Sequence, residues 1–236
     1  MAFKLNLSAL GVCAALLVAA QANAANDVTL KVSGSIVPAA CTPTLSNSGE
    51  VSFGSIAAAS IRTATSGNTL VQLGDKDITM NVTCDAAASV GVKFTDNRSS
   101  SVVTLSANKF LPHPVSGYTN TVESVFGFGL GKATNNANIG VYTITADSVN
   151  ATVDGAAAKL FYTDDNGANW ATSTAVRQRI AGARIMSVGK ADSAVPVLFT
   201  EMSVPMKITA GVQTSDILGF DEINFDGNAT LSLVYL

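Results

Sequence analysis

Histidine is scarce in this chain, and its scarcity weighs against two classes of function. There is one histidine, His113, and there are three cysteines in 236 residues. The single histidine cannot by itself build the usual multi-ligand zinc site. His113 stands between Pro112 and Pro114, which hold it in a rigid extended loop. It would have to be the base of any serine triad, and no Gly-x-Ser-x-Gly elbow accompanies it. A paired-carboxylate glycosidase motif is not identifiable either. The chain therefore reads as non-enzymatic, with no catalytic residue, metal ligand or cofactor. Charge is sparse too: 13% of the residues are charged, with a formal net charge of −3 and a pI near 5.0. This balance argues against nucleic acid or an anionic membrane surface as a partner.

Long apolar runs are confined to the N-terminus. Lys4 supplies a short basic region, Ala9 to Ala20 an apolar stretch, and Ala22-Asn23-Ala24 a small-residue cleavage site. The pattern predicts a signal peptide over 1–24 and export through the inner membrane. The apolar stretch is too short to span a bilayer. Cleavage would remove Cys13 and leave Cys41 and Cys84 in an oxidising compartment, where a disulfide is their expected state. Closing a loop of that length restricts the unfolded chain by roughly 4 kcal/mol in the chain-entropy account.

What the chain does have is alternation. Its residues are 47% hydrophobic, enough for a real core. Ile78, Met80 and Val82 alternate with Thr79, Asn81 and Thr83, the two-residue period of a strand with one buried face. Val90, Val92 and Phe94 repeat the pattern, as do Val28, Leu30 and Val32 near the start. At the far end Ala229, Leu231, Leu233 and Tyr235 share a face. Shorter strand-like runs fall at 102–105, 140–146, 196–199 and 202–208. Phe126 to Gly131 alternates large residues with glycines, which allow another backbone close approach. Val176, Ile180 and Ala183 recur at helical spacing, so one short helix is expected over Ser173 to Met186. That stretch also carries the basic cluster Arg177, Arg179 and Arg184, read chiefly as a solvated surface, with an acidic glycan or a partner carboxylate as the sharper reading.

Two resemblances attach to these residues. Gly34-x-Ile36-Val37-x-x-Ala40-Cys41, then Val51-x-Phe53-Gly54, then an alternating strand ending Cys84-Asp85, resembles a chaperone–usher pilin subunit. The whole chain is most similar to a proteobacterial family of fimbrial type, domain of unknown function 1120. The resemblance implies an all-β, immunoglobulin-like sandwich of pilin type, forming one domain over 25–236 with inserted hairpins between about 110 and 195. It implies a fimbrial subunit that moves from the periplasm to the cell surface and contributes to adhesion. Its implied partners are a periplasmic chaperone, an outer-membrane usher and neighbouring subunits. Residues 25–33 become a candidate donor strand, with Val28, Leu30 and Val32 as the inserted side chains; an ordinary first strand of its own sheet is the alternative. A strand addition of this kind joins main-chain hydrogen bonds to side-chain pockets. The C-terminal strand, with Leu231, Leu233 and Tyr235, resembles the one a pilin presents to its chaperone.

The second resemblance is local. Thr163, Asp165, Gly167 and Trp170 fall at the spacing of an Asp-box, with Asn169 in place of threonine. Asp-boxes are structural hairpins, so a tight turn with Trp170 packed over it is expected. The Asp164-Asp165-Asn166 loop lacks a full calcium ligand set. Trp170, Tyr142 and Tyr162 are the candidate contacts for a host glycan, which would make the chain a carbohydrate-binding adhesin instead.

Overall fold

A computed structural model of the protein describes residues 28–37 and 39–236; the expected signal peptide lies outside the described residues. Residues 28–37 belong to no strand, and Val28, Leu30 and Val32 are 96, 85 and 86% exposed. The chain from residue 39 onward forms two antiparallel sheets packed face to face.

The strands are, in order, β1 (Cys41–Leu45), β2 (Val71–Ala88), β3 (Val90–Asp96), β4 (Phe128–Gly129), β5 (Gly140–Asp147), β6 (Thr152–Val153) and β7 (Ala156–Ala157). They continue with β8 (Lys159–Thr163), β9 (Ala171–Thr172), β10 (Ala175–Arg177), β11 (Ile185–Gly189), β12 (Phe199–Val212), a single helical turn α1 (Ser215–Leu218), and β13 (Ala229–Tyr235). The first sheet runs β1-β2-β12-β5-β10, with β4 beside β5 and the β6–β7 hairpin beside β12. The second runs β13-β3-β11-β8-β9. The observed fold is the all-β sandwich that the resemblance implies.

The reason is the period of two. Ile78, Met80, Val82 and Cys84 point inward from β2, and Val90, Val92 and Phe94 from β3, all 7% exposed or less. Val204, Met206 and Ile208 of β12 join them in one core with Leu160, Met186 and Val188. Each such fully buried aliphatic or aromatic side chain contributes about 1.5–3 kcal/mol. The outer face of the first sheet is also covered. There Leu70, Val103, Leu105, Leu111 and Val141 form a second, smaller cluster beneath the 100–126 region. Close approach needs glycine here: a Cβ on Gly129 would lie 2.3 Å from the Arg98 carbonyl oxygen, and one on Gly211 2.7 Å from the Leu111 side chain.

Three sequence expectations are corrected. Residues 173–186 are not a helix: they hold β10, a 3-10 turn at Ile180–Gly182 and the start of β11. Val176 and Ile185 are buried from strands, and Ala183 is exposed, so the helical spacing was coincidental. Residues 102–105 are not a strand either; Val103 and Leu105 are buried by packing against Leu70 and Val141 without joining a sheet. The runs at 196–199 and 202–208 also resolve differently, since residues 199–212 are one continuous strand.

Candidate functional site

The two sheets are closed along one side of the sandwich and open along the other. The open side is made by β1 and β13, each the outermost strand of its sheet and each paired on one side only. Cys41 and Cys84 sit directly opposite in the β1–β2 ladder and are joined by a disulfide with an S–S distance of 2.02 Å. The Asp85 carboxylate accepts the Ala40 backbone N–H at 2.8 Å, fixing the point where the chain enters β1. At this end the edges meet, and the Cys41 N–H donates to the Tyr235 hydroxyl at 3.0 Å.

Further along, the edges part. Cys41 and Leu45 of β1, and Leu231 and Leu233 of β13, are only partly buried although they pack against the core. A cavity of about 800 Å³ lies between the sheets there, floored by Ile78, Phe94, Tyr142, Ile144, Met206 and Ile208. Two loops flank it, Glu50–Ile56 and Phe220–Phe225. Val51, Phe53, Ile56 and Ile223 rest on the core without being fully buried. Among the described residues, no backbone hydrogen bond ties 51–56 or 220–225 to either sheet. The result is a groove with an apolar floor, beside a strand edge that faces no neighbouring strand among the described residues. Such an edge is a template for another strand unless it is covered.

The opposite side is filled by side chains. Arg184 clamps the Asp164 carboxylate with two bonds, Nε to Oδ1 at 2.8 Å and Nη2 to Oδ2 at 2.7 Å. Its Nη1 donates to the Arg177 carbonyl at 2.9 Å. The same guanidinium lies 4.3 Å from the Tyr162 ring centroid and 5.4 Å from that of Phe126, while Arg177 covers Phe126 at 4.9 Å. Arg179 reaches Asp164 at 3.3 Å. The Arg184 bonds and charge, with Arg179 beside it, hold the Asp164 carboxyl below the usual carboxylate range. Burial lowers the Arg177 guanidinium from its ordinary value, and the nearby Arg184 charge acts in the same direction. The basic cluster is therefore largely an internal lock, with Arg184 only 12% exposed.

The proposed glycan contacts are not brought together into one platform. Tyr142 is buried in the core at 7% exposure, its ring 5.3 Å from Phe128, and burial pushes its hydroxyl well above the ordinary phenol range. Tyr162 lies beneath Arg184. Trp170 is half-buried over its own turn, where a Cβ on Gly167 would meet the indole at 3.8 Å. The Asp-box residues do build that turn. Thr163 Oγ1 bonds Asp165 and accepts the Gly167 N–H at 3.1 Å, and Asp165 accepts both the backbone and side-chain N–H groups of Asn169. These bonds, from Thr163 first, bring the exposed Asp165 carboxyl down to about 2. Asn169 thus serves where threonine is usual. His113 stacks on Tyr118 at 4.5 Å, and its Nδ1 lies 3.1 Å from the Val115 backbone nitrogen.

The groove's two flanking loops carried no sequence signal beyond the Val51-Ser52-Phe53 alternation. Phe220 to Phe225 is acidic and aromatic without a period, and it acquires a role only because β12 and β13 place it at the mouth.

Comparison with known proteins gives the chain a family. A family described as "Protein of unknown function (DUF1120)" matches residues 30–143. The chain is 34% identical to Protein GltF of Escherichia coli (strain K12) over 254 aligned positions, covering all of both chains. It is 30% identical to the Uncharacterized protein YhcF of the same organism, covering 92% of this chain and 94% of that one. The chain belongs to the DUF1120 family.

Proposed function

We propose that the protein is a non-enzymatic structural subunit of a surface fimbria, exported to the periplasm, held by a chaperone, delivered to an outer-membrane usher, and joined to its neighbours by strand exchange. The observation that supports this reading is the pairing of an open groove with an unused strand. β1 and β13 leave room for one more strand, and its floor is apolar. Residues 28–33 have the alternation of a buried edge strand, yet Val28, Leu30 and Val32 are 85% exposed or more. Their insertion would contribute about 1.5–3 kcal/mol each from burial, with a new ladder of main-chain bonds along β13. Leu231 and Leu233, half-covered now, become fully covered on completion of the sheet, first by the chaperone and then by the neighbour's strand.

The test is assembly of the mature protein. Purified wild-type chain should form a ladder of multimers, resolved by sedimentation velocity. The doubly substituted Leu30→Asp, Val32→Asp chain should keep the wild-type circular dichroism spectrum and lose the ladder. A monomeric wild type whose stability collapses on the same substitutions would make residues 28–33 a strand of its own fold, and the polymer reading would fall.

A further inference from the structure

The two loops beside the groove are fixed at their ends and not along their length. Residues 220–225 start after Gly219, whose φ is 90°, and end at Asp226. The Asp226 N–H donates to the Leu130 carbonyl at 2.9 Å, and its own carbonyl accepts the Arg98 Nε at 3.1 Å. Residues 51–56 lie between the turn closed by the Glu50 N–H on the Asn47 carbonyl at 3.0 Å and the 3-10 turn Ala58–Ile61. Among the described residues, 51–56 makes one hydrogen bond, internal to the loop, from the Gly54 N–H to Ser52 Oγ at 3.1 Å, and 220–225 makes none. Apolar contact holds them instead. Phe53 packs against the core, and so does Ile223, the one residue of 220–225 that is not exposed. Both loops line the same cavity as Leu45 of β1, Ala229 of β13 and the apolar floor. A strand entering between the two edges therefore meets these side chains first.

We infer that residues 51–56 and 220–225 are a removable cap: Phe53 and Ile223 shield the groove floor in the free chain, and the strand that completes the sheet displaces them. This rests on the strand-exchange reading above and adds a gate to it. A segment without hydrogen bonds to the sheets can leave by giving up apolar contacts alone, which places it at the low-stability end of the molecule. The entering strand restores that burial and adds main-chain bonds that the cap does not make. Until then the cap shields an edge that would otherwise pair with chance partners. Entry is slowed in proportion to the small uncapped fraction of the free chain.

The experiment uses the full mature chain carrying Leu30→Asp and Val32→Asp as acceptor, so that its own segment does not compete for the groove. A labelled peptide covering residues 25–37 is followed by stopped-flow anisotropy, with its Leu30→Asp form as the non-binding control. Ile223→Ala and Phe53→Ala acceptors should each take up the peptide about three- to tenfold faster, because each loses part of one side chain's burial in the capped form. Dissociation should be unchanged. Ile223→Val should fall between wild type and Ile223→Ala, so the series remains readable if an alanine acceptor fails to fold. Val149→Ser, at an exposed apolar residue between β5 and β6 and away from the groove lining, should leave both rates as they are. If the loop substitutions speed dissociation without speeding association, Phe53 and Ile223 are walls that grip the strand, and the cap is overturned while strand exchange stands. Unchanged rates, or an equal acceleration in Val149→Ser, overturn it as well. If the peptide binds no acceptor, strand exchange itself fails and the cap falls with it.

Discussion

The two sides of the sandwich solve one problem in opposite ways. Where β10 and β8 approach, the space between the sheets is stopped by Arg184, locked to Asp164 and layered on Tyr162 and Phe126. Where β1 and β13 approach, no side chain of comparable size among the described residues fills the gap, and a cavity of about 800 Å³ is left with an apolar floor. A guanidinium with its bonds satisfied inside the molecule is a permanent plug. A groove with an apolar floor beside an unpaired edge is a template for association until something covers it. Both sides end in edge strands, β1 and β13 on one and β10 and β9 on the other, so what sets the open side apart is the apolar floor left between its edges.

The comparison breaks most completely through the disulfide. β1 has five residues and one partner strand, so the Cys41–Cys84 bond is its main covalent restraint on the open side. Replacing both cysteines with alanine should cost roughly 4 kcal/mol of global stability in the loop-entropy account. Urea denaturation of the oxidised and double-alanine proteins measures it. Hydrogen exchange sharpens the test: amides of β1 should lose protection well before those of β10, and equal loss on both sides would contradict the asymmetry.

A smaller effect is expected from opening the closed side. Arg184→Ala removes a bidentate carboxylate clamp, a bond to the Arg177 carbonyl and two aromatic contacts. Asp164 is about a third exposed, so the cost lies between that of an exposed pair and that of a buried one, about 2–3 kcal/mol. For a domain of this size the melting temperature should fall by about 4–12 °C. Arg179→Ala, which removes one longer contact to the same carboxylate, should cost less than a third as much. Equal losses from the two substitutions would mean that the lock is not centred on Arg184.

Much of the fold was legible because a buried face writes its period into the chain. The strands at 78–84, 90–94 and 229–235 were readable from alternation, and the two cysteines left after the expected signal-peptide cleavage were enough to expect the disulfide. Three things were hidden. Val176, Ile180 and Ala183 mimic a helical face, although β10 and β11 flank a tight turn there in which Ala181 has a φ of 61°. The long β12 contains Pro205, which lacks a ladder donor, and tolerates it because β6 ends opposite Ser203 and β5 begins opposite Met206. The arginine lock was visible only as a basic cluster. Its partners come from residues 126, 162 and 164, and the pairing of β11 with β8 is what brings Arg184 to two of them. Local pattern records which side of a strand is buried; it does not record which distant carboxylate will meet it.

The smallest effect concerns pH and tests whether the cover over the closed side is as settled as its geometry. His113 packs against Tyr118, whose hydroxyl bonds the side chains of Ser173 and Thr174 and accepts the Ala175 N–H at the start of β10. Burial lowers the His113 pKa below its ordinary value of 6.5; the Arg177 charge adds to this, while the Val115 bond and Asp147 oppose it. The unfolded chain therefore binds a proton more readily than the folded one. The contribution to stability is fully present above pH 6.5 and declines as pH falls through 6.5 toward the lower folded value. Because the chain has a single histidine, the pH dependence of stability between about 7.5 and 5.5 should come mainly from this ring. Urea midpoints measured across that range should decrease with acidification in the wild type and flatten in His113→Gln. A wild type whose midpoint rises on acidification would reverse the sign and place an uncounted carboxylate beside the ring. The open side carries no histidine, so the multimer ladder of the wild type at constant ionic strength should stay level over the same range, which separates the two sides once more.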